Sequence, residues 1–165
     1  MKQLNLLINP ASSLCNMRGR YCFYADEAAN RTEASLGAMS VETAERLIHL
    51  AFAAVPRNGR VNFSFQGGEP TLAGLEFFQN FVHTVKQLRP QGADVQFAIQ
   101  TNGFRIDPAW ADFFAGSGFL VGISLDGDKE LHNTFPVDPS GNGTYPRVLK
   151  SLRLLTARNV DVNLL

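Results

Sequence analysis

The chain has 165 residues, 15 basic and 15 acidic side chains, a formal charge of zero and two cysteines. One domain around one core is expected at this length, and the even charge excludes a surface built for nucleic acid or anionic lipid, which needs clustered Lys and Arg. Two cysteines cannot make a disulfide framework or a four-thiolate metal site unaided. The composition, 45% hydrophobic and 18% charged, is globular rather than disordered. The apolar runs fall far below the roughly 18–20 residues of a bilayer span, and Met1 to Pro10 is too short and too polar for a secretory signal. A soluble cytoplasmic protein with reduced thiols is expected.

Taken in chain order, Leu4 to Ile8 reads as a strand stopped by Asn9-Pro10. Val41 to Val55 reads as a helix, with Val41, Ala44, Leu47, Ile48, Ala51, Phe52 and Val55 on one face. Ser40 stands at its N-cap and Glu42 in its first turn, and Pro56 and Gly59 end it. Arg60 to Gln66 alternates Val61, Phe63 and Phe65 with polar residues, a strand pattern. Leu75, Phe78, Phe81, Val82, Val85 and Leu88 mark a second helix, closed by Pro90 and Gly92. Val95, Phe97 and Ile99 make a third strand, ending at Thr101-Asn102-Gly103.

Asp107-Pro108 predicts an N-cap followed by proline at the first helical position. That helix carries Trp110, Phe113 and Phe114 and stops at Gly116 to Gly118. Phe119 to Leu125 is nearly all apolar, as expected of a strand covered on both faces. A loop rich in Gly, Pro, Asn and Asp runs from Asp126 to Gly143, and Thr144 is expected to cap a last helix through Val148, Leu152 and Leu155. Val160 to Leu165 reads as a fifth strand, in which the sequence stops. Alternating strands and helices imply an α/β fold with parallel strands and right-handed crossovers. This is an open parallel sheet or part of a barrel. Either way, the functional rim is at the C-terminal ends of the strands.

Four consecutive strands end in residues suited to a small polar ligand. After the first comes Ser13-Leu14-Cys15-Asn16-Met17-Arg18-Gly19-Arg20-Tyr21-Cys22-Phe23-Tyr24, which holds both cysteines. After the second comes Gln66-Gly67-Gly68-Glu69-Pro70, after the third Thr101-Asn102-Gly103, and after the fourth Ser124-Leu125-Asp126-Gly127. A Gly-Gly-Glu turn lets backbone and one carboxylate approach a ligand closely. Ser and Asn offer hydroxyl and amide groups for a ribose or an amino acid. Singly, each piece is ordinary: free thiols, tight turns and strand ends all look like this. His49 and His83 read as structural or exposed, His132 in the long loop is more open, and the stripe Phe77, Phe78 and Phe81 reads as core.

In combination and in this order, the pieces resemble the radical S-adenosylmethionine enzymes. Within them the chain is most similar to the anaerobic sulfatase-maturating group, on Ser12 to Arg18, Arg20 to Tyr24, Met39-Ser40 before Glu42-Thr43, Gln66 to Thr71, Gln100 to Gly103, and Ser124 to Gly127 with Leu131-His132. The resemblance implies a partial parallel (β/α) barrel, cut after about four and a half units, with residues 1–165 forming a core domain incomplete at its C-terminus and lacking an auxiliary-cluster domain. It implies a four-iron, four-sulfur cluster held by a C-x3-C-x2-C loop, with the open iron chelating S-adenosylmethionine. Reductive cleavage of that cofactor then yields a radical that abstracts a substrate hydrogen. By matching position Cys15 and Cys22 are cluster ligands and Tyr21 lies beside the adenine. Gly67, Gly68 and Glu69 hold the methionine amino end, Asn102 belongs to the cofactor site, and Ser124 faces the ribose or carboxylate. The implied partners are a sulfatase polypeptide, whose Cys or Ser becomes formylglycine, and a reductant. No catalytic residue is assigned.

The chain departs from that pattern at two positions. The middle cysteine of the loop falls at position 19, which is Gly19. The arginine that follows the His-x-x-Tyr or Phe element is replaced by Pro136, after His132-Asn133-Thr134-Phe135. Impaired cluster retention and weakened cofactor binding are the expectations. The alternative readings are a non-catalytic fragment or degenerate homologue acting as a ligand-binding or interaction module, and a redox or metal module using Cys15 and Cys22. A zinc site would need more ligands than two thiolates.

Overall fold

The structure is a computed structural model that describes residues 2–165 apart from Arg20, Tyr21, Phe23, Ala25, Glu27, Ala28, Phe135 and Pro139. Five parallel strands form one open sheet in the order β1 (Gln3–Ile8), β3 (Arg60–Phe65), β4 (Asp94–Thr101), β5 (Phe119–Ile123) and β7 (Asp161–Leu164). The helices between them are α1 (Val41–Ala53), α2 (Leu75–Leu88), α3 (Pro108–Ser117), α4 (Lys129–Thr134) and α5 (Tyr145–Thr156). A short 3-10 helix spans Pro70–Ala73. The expected α/β partial barrel is therefore present as an unclosed sheet. A separate antiparallel ladder pairs β2 (Arg18–Gly19) with β6 (Pro136–Val137), setting Gly19 opposite Pro136. Among the described residues no helix is long and apolar enough to cross a membrane.

Caps and breakers act largely where the sequence signals them. Ser40 accepts from the Thr43 N–H at 3.2 Å, and Asp107 accepts from the Trp110 N–H at 3.0 Å. Gly118 ends α3 in the left-handed conformation at φ 66°. Thr144 sits at the start of α5 with helical backbone, φ -102° and ψ -10°, instead of the extended backbone usual at an N-cap, and makes no side-chain cap bond.

Strand alternation sends one row of side chains under the helices and the other onto the concave face. Val61, Phe63, Phe65, Phe97, Ile99, Phe119, Val121 and Ile123 are buried against the helix layer. Phe119 stacks on Phe97 at 5.1 Å and meets Phe114 at 5.2 Å, while Phe65 packs edge-on to Phe78 at 4.9 Å. These offset and edge-to-face arrangements are the favoured ones for aromatic pairs. The concave face carries Asn62, Ser64, Gln96, Ala98 and Gln100 instead. Strand β5 is thus not covered equally on its two faces, contrary to its apolar run: Leu120, on the concave side, is 41% exposed.

Register aligns the strand ends. Ile8 lies beside Phe65, Phe65 beside Ile99, and Ile99 beside Val121. The segments that follow therefore emerge together on one rim. Replacing Phe119→Ala at the centre of the aromatic layer should cost about 3–5 kcal/mol. Urea unfolding of the variant beside the parent chain measures it, and a cost below about 1 kcal/mol would show that this layer does not hold the sheet to its helices.

Candidate functional site

Beyond β3 the chain turns through Gly67 and Gly68, and the loop after β1 is bonded onto that turn. The Gly68 N–H donates to the Ser12 carbonyl at 3.0 Å, and the Glu69 N–H donates to the Leu14 carbonyl at 2.7 Å. A β carbon on Gly68 would overlap the Leu14 carbonyl oxygen, and one on Gly67, at φ 141°, would overlap Asn9 Oδ1. Both glycines are required because protein, not ligand, fills the space where a side chain would be. The lock fixes Leu14, and Cys15 follows it directly.

Glu69 is 1% exposed and has no cationic partner among the described ion pairs. Its Oε1 accepts from the Thr71 N–H at 3.0 Å, the Thr71 hydroxyl at 2.5 Å and the Thr101 hydroxyl at 2.7 Å. Its Oε2 accepts from the Asn102 N–H at 2.8 Å. Four donors replace the water lost by the carboxylate, which is what a buried charge requires. These bonds tie the end of β3 to the end of β4.

Asn102 points toward the cysteine loop. Its Nδ2 donates to Asn16 Oδ1 at 2.9 Å and lies 3.9 Å from Cys15 Sγ, to which the Met17 N–H also donates at 3.4 Å. Burial pushes the Cys15 thiol pKa up, against the lowering by the Met17 N–H; electrostatic repulsion from Glu69 and from the Cys22 thiol raises it further, and Asn102 lowers it. Ser124, just past β5, accepts at Oγ from Gln100 Nε2 at 3.1 Å. A β carbon on Gly122 would overlap Gln100 Oε1, so the Gln100 side chain runs across this glycine to reach Ser124.

Cys15, Cys22, Gly67, Gly68, Glu69, Asn102 and Ser124 all line one cavity of about 270 Å³. Tyr21 lies outside the described residues. The cavity also takes in Gln66 and Thr101, which lie in the strand-end segments but have no individual role in the sequence reading, and Gln100 and His132. Strand parity could have found two of them, since Gln66 and Gln100 share the concave phase of Ser64 and Ala98.

His132 sits in α4, 1% exposed. Its Nδ1 accepts from the Asp126 N–H at 3.3 Å, which puts the ring proton on Nε2, donating to the Thr144 hydroxyl at 3.0 Å. That hydroxyl belongs to the residue expected to cap α5. Burial lowers the His132 pKa, with Asp126 opposing. His49 and His83 are exposed on α1 and α2.

A three-thiolate cluster does not fit the residues present. Cys15 and Cys22 supply two thiols, and Gly19 has none to add. Among the described residues no group of three or more His, Cys, Asp or Glu could hold a metal ion. The hydrogen-bonding side chains around the cavity do suit a small polar ligand.

Parallel strands with a thiol-bearing, hydrogen-bonding cavity at their C-terminal rim define an α/β domain whose candidate ligand site lies where such folds carry theirs. The profile described as "Radical SAM superfamily" matches residues 10–165, and the chain belongs to that superfamily. It is 42% identical over its whole length to the cysteine-type anaerobic sulfatase-maturating enzyme of Clostridium novyi, covering 44% of that protein. It is 35% identical over 98% of its length to the serine-type enzyme of Klebsiella aerogenes, covering 39% of it. The chain thus spans less than half the length of these relatives. A solved structure described as "Native anSMEcpe with bound AdoMet" aligns with a TM-score of 0.91 and 40% identity, over 98% of this chain and 43% of that one. Another, "Native anSMEcpe with bound AdoMet and Kp18Cys peptide", aligns with a TM-score of 0.90 and 39% identity, over 98% of this chain and 42% of its own.

Glu69→Gln turns one acceptor oxygen into a donor facing a donor, and should cost roughly 1–3 kcal/mol; urea unfolding reads the change. For His132, the folded pKa lies below the unfolded value of about 6.5, so its neutral form is favoured by folding. Its contribution is present above that value and is lost as pH falls through the lowered pKa. His132→Gln keeps an acceptor and a donor without titrating. The parent should therefore lose stability relative to the variant on acidification below pH ~6.5, and a difference that stays flat with pH would contradict the assignment.

Proposed function

We propose that the strand-end cavity binds S-adenosylmethionine and that the chain is the core domain of an anaerobic sulfatase-maturating type of enzyme. The observation that supports this reading is the meeting of Cys15, Gly68, Glu69, Asn102 and Ser124, from four separate strand ends, around one cavity. In this reading Cys15 and Cys22 are iron ligands, and Tyr21 lies beside the adenine. Gly67 to Glu69 face the methionine ammonium, and Ser124 faces the ribose or carboxylate. Because Glu69 is saturated by protein donors, the turn offers the ammonium its backbone carbonyls within the field of that carboxylate. Asn102 acts from behind, holding the cysteine loop through Asn16.

The reaction class is the oxidation of a sulfatase side chain to formylglycine in the cytoplasm, with a reductant supplying electrons. The higher identity to cysteine-type relatives than to serine-type ones, 42% against 35%, favours cysteine as the residue oxidised. Gly19 and Pro136 impair this activity in the chain as it stands. A second reading, a ligand-binding remnant without catalysis, is favoured by one observation: the two departures lie opposite each other in the β2–β6 ladder.

The test is titration of S-adenosylmethionine into reconstituted Gly19→Cys protein with and without Pro136→Arg. A restored charge-assisted hydrogen bond, worth about 1.5–3 kcal/mol, should tighten binding roughly ten- to a hundredfold. Equal affinities would remove position 136 from the account, and no binding to either protein would overturn the reading.

A further inference from the structure

We infer that Cys15, Met17 and Cys22 form a binding site for a soft monovalent cation, copper(I), with sulfur as its only ligand. The inference goes beyond the cofactor reading of the cavity and does not draw on it. The chain has two cysteines and three methionines. Both cysteines and Met17 fall in the one loop between positions 15 and 22, and all three residues line the same cavity. Met1 and Met39 lie outside that loop. Neither cysteine is in a disulfide.

The position of the first sulfur is well determined. The Glu69 N–H donates to the Leu14 carbonyl at 2.7 Å, which fixes the residue before Cys15. The Met17 N–H donates to Cys15 Sγ at 3.4 Å, and Asn102 Nδ2 lies 3.9 Å from it. Donors of this kind orient a metal-bound ligand. The same Met17 amide brings the root of the thioether beside the thiol, and the Met17 side chain packs in part against the core. Cys22 is close enough to Cys15 for the two thiolates to repel, and Glu69 adds to that repulsion. The described ion pairs give Glu69 no cation. A cation held between the sulfurs offsets this crowding of negative charge.

The donor set selects the ion. Thiolate and thioether are soft ligands and favour copper(I) over harder divalent cations. Ser13, Tyr24 and Asp126 put oxygens on the same cavity, but these are hard donors that a soft ion leaves for sulfur. Arg20 and Tyr21, the residues of the loop outside the described set, carry no sulfur. Structural zinc takes four ligands, and among the described residues no group of three or more His, Cys, Asp or Glu could hold a metal ion. On binding, both thiols release their protons to solvent. Two copper–thiolate bonds and one bond from the Met17 sulfur form, and copper stays monovalent.

The test is anaerobic titration of copper(I) into the wild-type chain against a chromogenic copper(I) chelator, with X-ray absorption at the copper edge. One ion per chain should bind to a monomer, with only sulfur bonded to copper, and zinc(II) should not displace it. Met17→Leu keeps the side-chain volume and removes the sulfur. It should weaken binding by at least the roughly tenfold that a hydrogen-bond partner of a metal ligand is worth, and Cys22→Ser should weaken it further. Nitrogen or oxygen bonded to copper, a copper-linked dimer, or displacement by zinc(II) overturns the inference. So does an affinity unchanged in Met17→Leu or in Cys22→Ser. The absorption spectrum of the wild-type chain needs no substitution, so misfolding of a variant cannot mask the outcome.

Discussion

Among the described residues Glu69 is a buried carboxylate with no cationic partner; such a group must be surrounded by donors, and Glu69 organises the rim of this sheet by that requirement. Its four hydrogen bonds draw together the turn after β3 and the end of β4. The two amides before and at Glu69 draw in the loop after β1. Three segments far apart in sequence are thereby held at one level above the strands. An unsatisfied buried charge is costly, so the turn after β3 and the end of β4 are coupled through the carboxylate, while backbone hydrogen bonds hold the loop after β1 to that turn. Cys15 and Asn102 inherit their positions from this arrangement.

The sheet beneath has two unlike faces. Under the helices lies a layer of interlocked aromatic rings, centred on Phe65, Phe97 and Phe119. The concave side carries mostly polar residues such as Asn62 and Ser64, and at the strand ends Gln100 reaches across Gly122 to Ser124. The rigid face supports the open one, so that polar groups at the rim rest on a packed layer rather than on mobile loops.

Much of this was legible in the residues. The alternation of Val61, Phe63 and Phe65, the caps at Ser40 and Asp107, and the breakers at Gly116 to Gly118 are local signals, and the elements follow them. The four strand-end segments were legible as a set because parallel strands must end on one rim. Tertiary contacts were not legible. Gly67 and Gly68 read as places for a ligand to approach, whereas Asn9 and Leu14 fill that space. Thr144 read as a helix cap, but it makes no cap bond and its hydroxyl meets buried His132. Leu120 read as covered because Phe119 to Leu125 is apolar, yet its side of the sheet is open. Each miss concerns a partner distant in the chain, which no local pattern encodes.

Gly19 and Pro136 stand apart from this framework. They pair with each other in the small ladder, away from the bonds made by Glu69. Native-state hydrogen exchange tests the organising role of Glu69 most directly. The amides of Gly68, Glu69, Thr71 and Asn102 should be protected in the parent chain and should lose protection together in Glu69→Ala, while the amides of β3 and β4 keep theirs. Unprotected rim amides in the parent, or rim protection unchanged in the variant, would contradict the account.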